Sequence, residues 1–313
     1  ILSMATAAVG FAQVRIATPG TELVLKAEKG SELQIQYFGG RLSDADVQVL
    51  EAAGVPNHNA YQPYGIWCSW ESALEVTHAD GNLSTVLKVE EVSTVEEPTA
   101  KVTRIKLKDT VYPFYVTVCY RAYQDVDMIE TWTEIENLEK KSVTLNRFDS
   151  GYLPIRVGDV WVSHLHGTWA AEGRLVQEPL ERGMKVIKNK DGTRNSHTDH
   201  AEVMFSLDGK PQENAGRVIG AALCYSGNYE LRIDTRDTDY HQFYAGINPD
   251  NSSYRLEPME VFKTPELALT YSDEGLSGAS RNFHKWGRKY KLAHGDTPRK
   301  ILLNSWEGVY FDI

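Results

Sequence analysis

Nine short stretches of this chain alternate apolar and polar residues with a period of two, and this spacing constrains the fold more than any other feature. They are residues 32–37, 85–89, 101–107, 114–120, 128–135, 143–147, 159–164, 203–207 and 218–224. A period of two gives each strand one wet and one buried face, the pattern of antiparallel sheets. Turn signals separate the runs at Asp80-Gly81, Asp191-Gly192, Asp208-Gly209 and Ser226-Gly227-Asn228. So many strands without intervening helices predict a mainly β fold, a large antiparallel two-sheet sandwich. With 313 residues the chain can bury a large core, and length alone allows one to three domains. No internal repeat or low-complexity tract is visible.

Two helices are expected. Ser43 can cap a short one, with Asp46 three residues on, Val47 and Leu50 on one face and Gly54 as its stop. A second covers about residues 280–292, with Phe283, Trp286 and Tyr290 on one stripe. His294-Gly-Asp-Thr-Pro298 then breaks the helix before Ile301-Leu-Leu-Asn-Ser-Trp306-Glu-Gly-Val-Tyr-Phe-Asp312-Ile313. That last segment reads as the first buried strand of a new domain. In an extended chain Trp306 and Asp312 share a face. The division expected is a sandwich over 13–278, a linker helix over 279–296 and a domain-opening strand over 297–313. Residues 1–12 are apolar and small, with no charge before Arg15, and fit the tail of a secretory signal peptide. They are too few to span a bilayer.

Charged residues make up 24% and hydrophobic ones 42%, as in an ordinary soluble globular protein. The net charge is -10, and there is no Lys/Arg-rich run. Nucleic acid and anionic membranes are therefore poor partners. Cys68, Cys119 and Cys224 are far apart, odd in number and match no metal spacing; Cys119 and Cys224 read as buried free thiols. His164 and His166 have a spacing that zinc sites use, but lack an obvious third ligand, so the structural reading is preferred. No metal or organic cofactor is expected. Phosphate-loop, nucleophile-elbow and His-Glu-x-x-His motifs are absent.

An ordered series of short motifs extends over roughly residues 30–313. It includes Val76-Thr-His-Ala-Asp80-Gly-Asn82, Ile129-Glu-Thr-Trp132, Gly167-Thr-Trp169-Ala-Ala-Glu172, Tyr225-Ser-Gly-Asn228 and Gly246-Ile-Asn-Pro249. It continues with Thr264-Pro-Glu266, Tyr271-Ser-Asp-Glu-Gly-Leu276, Ser280-Arg-Asn-Phe-His284 and the segment from Pro298 to Asp312. Each is weak alone; in this order and spacing the series resembles glycoside hydrolase family 36, the α-galactosidases. The resemblance implies an N-terminal β-supersandwich, a linker helix and the start of a (β/α)8 barrel. It implies a retaining hydrolase of terminal α-galactosides without a cofactor, often a homo-oligomer such as a tetramer. Retaining hydrolysis needs two carboxyl groups about 5–5.5 Å apart. In the family both are Asp residues on later barrel strands, beyond residue 313, so Glu307 and Asp312 are not candidates and this piece alone should be inactive.

The resemblance places Trp306 on the first barrel strand as a substrate-lining aromatic, and Asp312, on the same segment, is a further substrate-binding candidate. It also matches residues 61–73 to a loop that reaches an active site, often a neighbouring subunit's. A sugar-binding Asp stands there in tetrameric members; Cys68 occupies that position here, and Ser69 and Trp70 replace Phe and Arg. Trp67 and Trp70 are candidates to stack on a glycan or to pack between subunits. The substitution at Cys68 keeps other specificities open: an α-N-acetylgalactosaminidase or a raffinose-type galactosyltransferase. A non-catalytic carbohydrate-binding or structural sandwich is a third reading. The leader-like start implies a periplasmic or secreted protein, with a cytoplasmic location left open.

Overall fold

The computed structural model describes residues 13–52, 59–65, 71–192 and 198–312, with the backbone alone at 51–52. The strands in chain order are β1 Gln13–Ala17, β2 Thr21–Lys26, β3 Gln34–Gly40, β4 Leu74–Thr77, β5 Leu87–Glu96, β6 Ala100–Asp109, β7 Phe114–Tyr123, β8 Ile129–Asn137, β9 Val143–Ile155 and β10 Trp161–Thr168. They continue with β11 Ala171–Pro179, β12 Gly183–Lys188, β13 Asp199–Ser206, β14 Val218–Leu223, β15 Tyr229–Asp237, β16 Tyr240–Ile247, β17 Tyr254–Leu256, β18 Val261–Lys263 and β19 Leu267–Ser272. Helices are α1 Asp44–Ala52, α2 Gly275–Trp286, a π turn Gly287–Lys291 and α3 Ser305–Val309.

The largest sheet has the order β11-β10-β13-β14-β19-β8-β7-β6-β5, with β18 also on β8. A second runs β12-β15-β16-β9-β17, with β4 also on β9, and β1-β2-β3 form a small third. All pairings between these strands are antiparallel. Each of the nine stretches with period-two spacing overlaps an observed strand. The long strand β9 serves two cores. Its first half packs Leu145, Phe148 and Tyr152 with Ile105, Val116 and Val118 of the large sheet and Leu23, Leu25 and Ile35 of the small one. Its end packs Leu153 and Ile155 with Phe205, Ile219, Phe243 and Leu269. Burying large side chains of this kind stabilises by about 1.5–3 kcal/mol each.

Ser43 caps α1 as expected: its Oγ accepts from Asp46 N (3.2 Å), and Asp46 Oδ2 accepts from Ser43 N (3.2 Å). The linker helix starts five residues before the expected position. Its first N–H groups are met by loop carbonyls rather than by a capping side chain: Leu276 N donates to Gln212 O (3.1 Å) and Ser277 N to Glu213 O (2.9 Å). Gly275, at φ +66, is required at this contact, because a Cβ would lie 2.6 Å from Ala215 N and Gln212 O.

The strand expected over 301–312 is not formed. Residues 297–304 have no regular element, and Asn304 caps α3 by accepting from Trp306 N (3.2 Å). A buried strand needs paired neighbours on its edges and packing on its faces. Among the described residues no strand pairs with this tail, and local capping decides its shape. Trp306 and Asp312 therefore do not share the face of a strand. Among the described residues, no helix is long and apolar enough to cross a membrane. The leader-like residues 1–12 and the stop at Gly54 lie outside the described residues.

Candidate functional site

Trp67, Cys68 and Trp70 lie outside the described residues, but both feet of their loop are visible. On the entry side the Tyr61 hydroxyl, fully buried, donates to Asp149 O (3.0 Å). Tyr64 N donates to Leu74 O (2.8 Å), and Tyr64 O accepts from Thr85 N (2.9 Å). Gly65 has φ +119, and a Cβ there would meet Ser84 Cα and Thr85 N at 2.6 Å, so both conformation and space demand glycine. Behind this contact the His78 ring donates through Nδ1 to Glu139 Oε1 (2.7 Å), while Nε2 pairs with Thr85 Oγ1 (3.0 Å). Tyr112 stacks on the imidazole with centroids 3.8 Å apart. The order Thr85, His78, Glu139 imitates a hydrolytic relay. Thr85 is only 1% exposed and His78 2%, so no reactant reaches them and the trio is a structural brace.

On the exit side Arg232 of β15 holds the chain. Its guanidinium, 3% exposed, donates to Glu71 Oε2 (2.8 Å), Ser72 O (3.1 Å) and Asp149 Oδ2 (2.5 Å) and lies 4.7 Å from the Tyr244 ring centroid. The Tyr244 hydroxyl donates to Glu71 O (2.8 Å). Arg147 extends the network to Glu230 (2.9 Å) and Glu75 (3.5 Å). Burial pushes the Asp149 carboxyl above its ordinary value, against the pull of Arg232 and Arg147. Tyr229, Leu231 and Ile233 alternate with the charged residues of β15, yet sequence reasoning missed this strand and Arg232 with it. The available clue was the spacing of Glu230, Arg232 and Asp234 on one face.

Trp306 is half-exposed, and its ring meets Tyr310 (centroids 5.8 Å) and Phe311 (4.9 Å) edge-on. Asp312 is exposed. Among the described residues no contact joins this tail to the feet of the loop, so the structure does not bring the two candidate regions together. A cleft of about 620 Å³ between α2 and the large sheet, lined by Leu165, Met204, Glu202, Phe283 and His284, includes none of the candidates.

Among the described residues the histidine pair gathers no set of metal ligands. A register shift separates His164 from His166; His164 lies 3.5 Å from Glu178, and His166 lies 3.0 Å from Asp199. Among the described residues no group of three or more potential ligands converges. Cys119 is a buried free thiol and Cys224 a half-buried one.

The class is that of a large antiparallel β sandwich followed by a clamped helix and an apolar tail that is unpaired among the described residues. Residues 31–257 match the sequence profile of the glycosyl hydrolase family 36 N-terminal domain, and residues 261–313 match the Melibiase profile. The chain belongs to glycoside hydrolase family 36. It is 32% identical over 219 residues to α-galactosidase AgaA of Geobacillus stearothermophilus, covering 69% of this chain and 30% of that protein. It is 31% identical over 221 residues to α-galactosidase Mel36A of Lactobacillus acidophilus, covering 70% and 30%. Among solved structures, an AgaA variant in complex with stachyose superposes with a TM-score of 0.86 at 26% identity, covering 96% of this chain and 46% of that one. The chain thus spans about a third of the length of these curated relatives and under half of the solved one.

Proposed function

We propose that the full-length protein is a retaining α-galactosidase acting on terminal α-galactosides, and that this chain contributes its sandwich, linker and the opening of its barrel. One observation carries the reading: the family 36 N-terminal profile is followed by the Melibiase profile, which runs to residue 313 and includes Trp306. In this reading residues 13–278 brace the barrel, 279–296 join the units and 297–313 become the first barrel strand once neighbouring strands pair with it. Trp306 packs its indole on the apolar face of the sugar and excludes water, with Asp312 farther along the same segment. The loop of Trp67, Cys68 and Trp70 reaches a substrate pocket, its own or that of a second copy in a homo-oligomer. The nucleophile and the acid/base follow residue 313. Residues 1–12 direct export to the periplasm or medium.

Cys68 favours a second reading within the same chemistry. A thiol cannot replace the carboxylate that accepts hydrogen bonds from sugar hydroxyls, so the loop suits a substituted or longer glycan. Assay of the full-length protein on p-nitrophenyl α-galactoside and its N-acetyl analogue separates the two. Turnover of the first is expected; turnover of the second alone would reject the galactoside assignment.

A further inference from the structure

The link between sandwich and tail depends on a single buried carboxylate. Glu130 of β8 is 0% exposed on the sheet face that carries the linker. Its Oε1 accepts from the Tyr123 hydroxyl (3.0 Å) and the Trp286 indole N–H (3.1 Å) and forms an ion pair with Lys291 Nζ (2.7 Å). Its Oε2 accepts from Arg121 Nη1 (2.9 Å). Two partners thus come from β7 and two from the linker. An ionised carboxylate buried without such partners would be strongly disfavoured, so the linker partners and the carboxylate are mutually dependent.

The π turn makes this convergence possible. In an α-helix, residues five apart point to different faces. Here Leu292 N donates to Gly287 O (2.9 Å), an i→i+5 turn. The wider turn returns Lys291 to the side of Trp286, with Nζ 5.1 Å from its ring centroid. Asp125 adds a second point, accepting from the Tyr290 hydroxyl (2.5 Å) and from Lys289. Nearly every residue from 297 to 312 is exposed, so the clamp is the last place where the sandwich controls the path of the chain.

We propose that Glu130 is a positioning residue: through Trp286 and Lys291 it sets the direction in which the linker leaves the sandwich, and so places the Trp306 segment. The inference rests on the proposed function to the extent that Trp306 lines the substrate pocket. No contact of Glu130 with substrate is implied.

Two thiols report on the clamp. Cys224 packs against the cluster around Trp286, and burial pushes its thiol up to about 11. Cys119 is buried elsewhere on the sheet, beside Trp132. In this chain, maleimide modification followed residue by residue by mass spectrometry should show Cys224 reacting about tenfold faster in Glu130→Gln, with Cys119 unchanged, because a charge-assisted bond to the linker is lost. Lys291→Met, which alters only the linker side, should act in the same direction and decides the matter if Glu130→Gln does not fold. Unchanged rates at both thiols, or a parallel rise at both, would overturn the proposal. In the full-length protein both variants should lower kcat/KM for p-nitrophenyl α-galactoside about tenfold, measured at a temperature below the unfolding transition of each variant. Faster labelling with wild-type kinetics would overturn the positioning role. An inactive wild-type protein would instead overturn the proposed function and leave the labelling result standing.

Discussion

The loop around Cys68 and the tail around Trp306 are held in opposite ways. Buried groups fix both feet of the loop: Arg232 draws Glu71, Ser72 and Asp149 together, and the His78–Glu139 brace supports the backbone against which Gly65 rests. The tail is held by the Asn304 cap and by edge-on contacts of Trp306 with Tyr310 and Phe311, with Ile301, Leu302 and Leu303 almost fully exposed. The feet of the loop are thus preorganised by the sandwich, whereas the tail presents exposed apolar side chains. Preorganisation by buried ion pairs requires that every member be satisfied. An unpaired apolar segment needs only its partners, and its cost to the sandwich is small.

This contrast can be broken most forcefully at Arg232. Arg232→Met leaves Asp149 and Glu230 buried without their shared cation, and should cost about 3–5 kcal/mol of folding free energy. Urea unfolding measures the loss, and adding Asp149→Asn should recover part of it. Gly65→Ala comes next: the positive φ and the contact with Ser84 and Thr85 should cost about 1–3 kcal/mol in the same assay. An effect within about 0.5 kcal/mol, as at ordinary surface positions, would mean the entry foot is loose.

Acid should act more gently, and on the second core rather than the loop. His241 is 0% exposed, accepts from Thr235 Oγ1 (2.9 Å) and donates through Nε2 to Val157 O (3.2 Å), which fits a neutral ring. Burial depresses its pKa below the ordinary 6.5, and burial with Lys185 does the same for His164. Both groups bind protons more readily when unfolded. Their contribution is complete above the unfolded value and is lost as pH falls through the folded one. Stability should therefore decline as pH falls below the ordinary imidazole value of about 6.5, and His241→Gln should flatten that slope in urea titrations at several pH values.

The parts legible in the sequence share one physical basis. Strands with one wet face, such as β6 and β7, announce themselves by alternation. The strand β15 has seven consecutive buried positions that include Glu230, Arg232 and Asp234, so its polar face is satisfied by the network beneath the loop and not by water. Its apolar Tyr229, Leu231 and Ile233 alternate with those charges, so a period-two reading can find the strand but not the burial of its polar face. The edge strand β11 fails in the opposite sense: positions 172–175 are exposed, and it offers no apolar face to detect. The start of α2 was obscure because loop carbonyls cap it in place of a side chain. The motif series did identify the family, since it samples turns and tight contacts such as Gly275 as well as strands. Of the candidate site, the residue types were legible, but the buried ions that hold the loop were not, because partners far apart in sequence meet only after folding.

The smallest effect on folding should accompany the largest effect on chemistry. Trp306→Ala removes a half-exposed ring that packs edge-on against Tyr310 and Phe311 of its own tail. Measuring kcat/KM of this variant of the full-length protein on p-nitrophenyl α-galactoside, alongside its Tm, tests the central claim directly. The account predicts a loss of about 100-fold or more with the sandwich transition unchanged. Wild-type kcat/KM in the variant would contradict it.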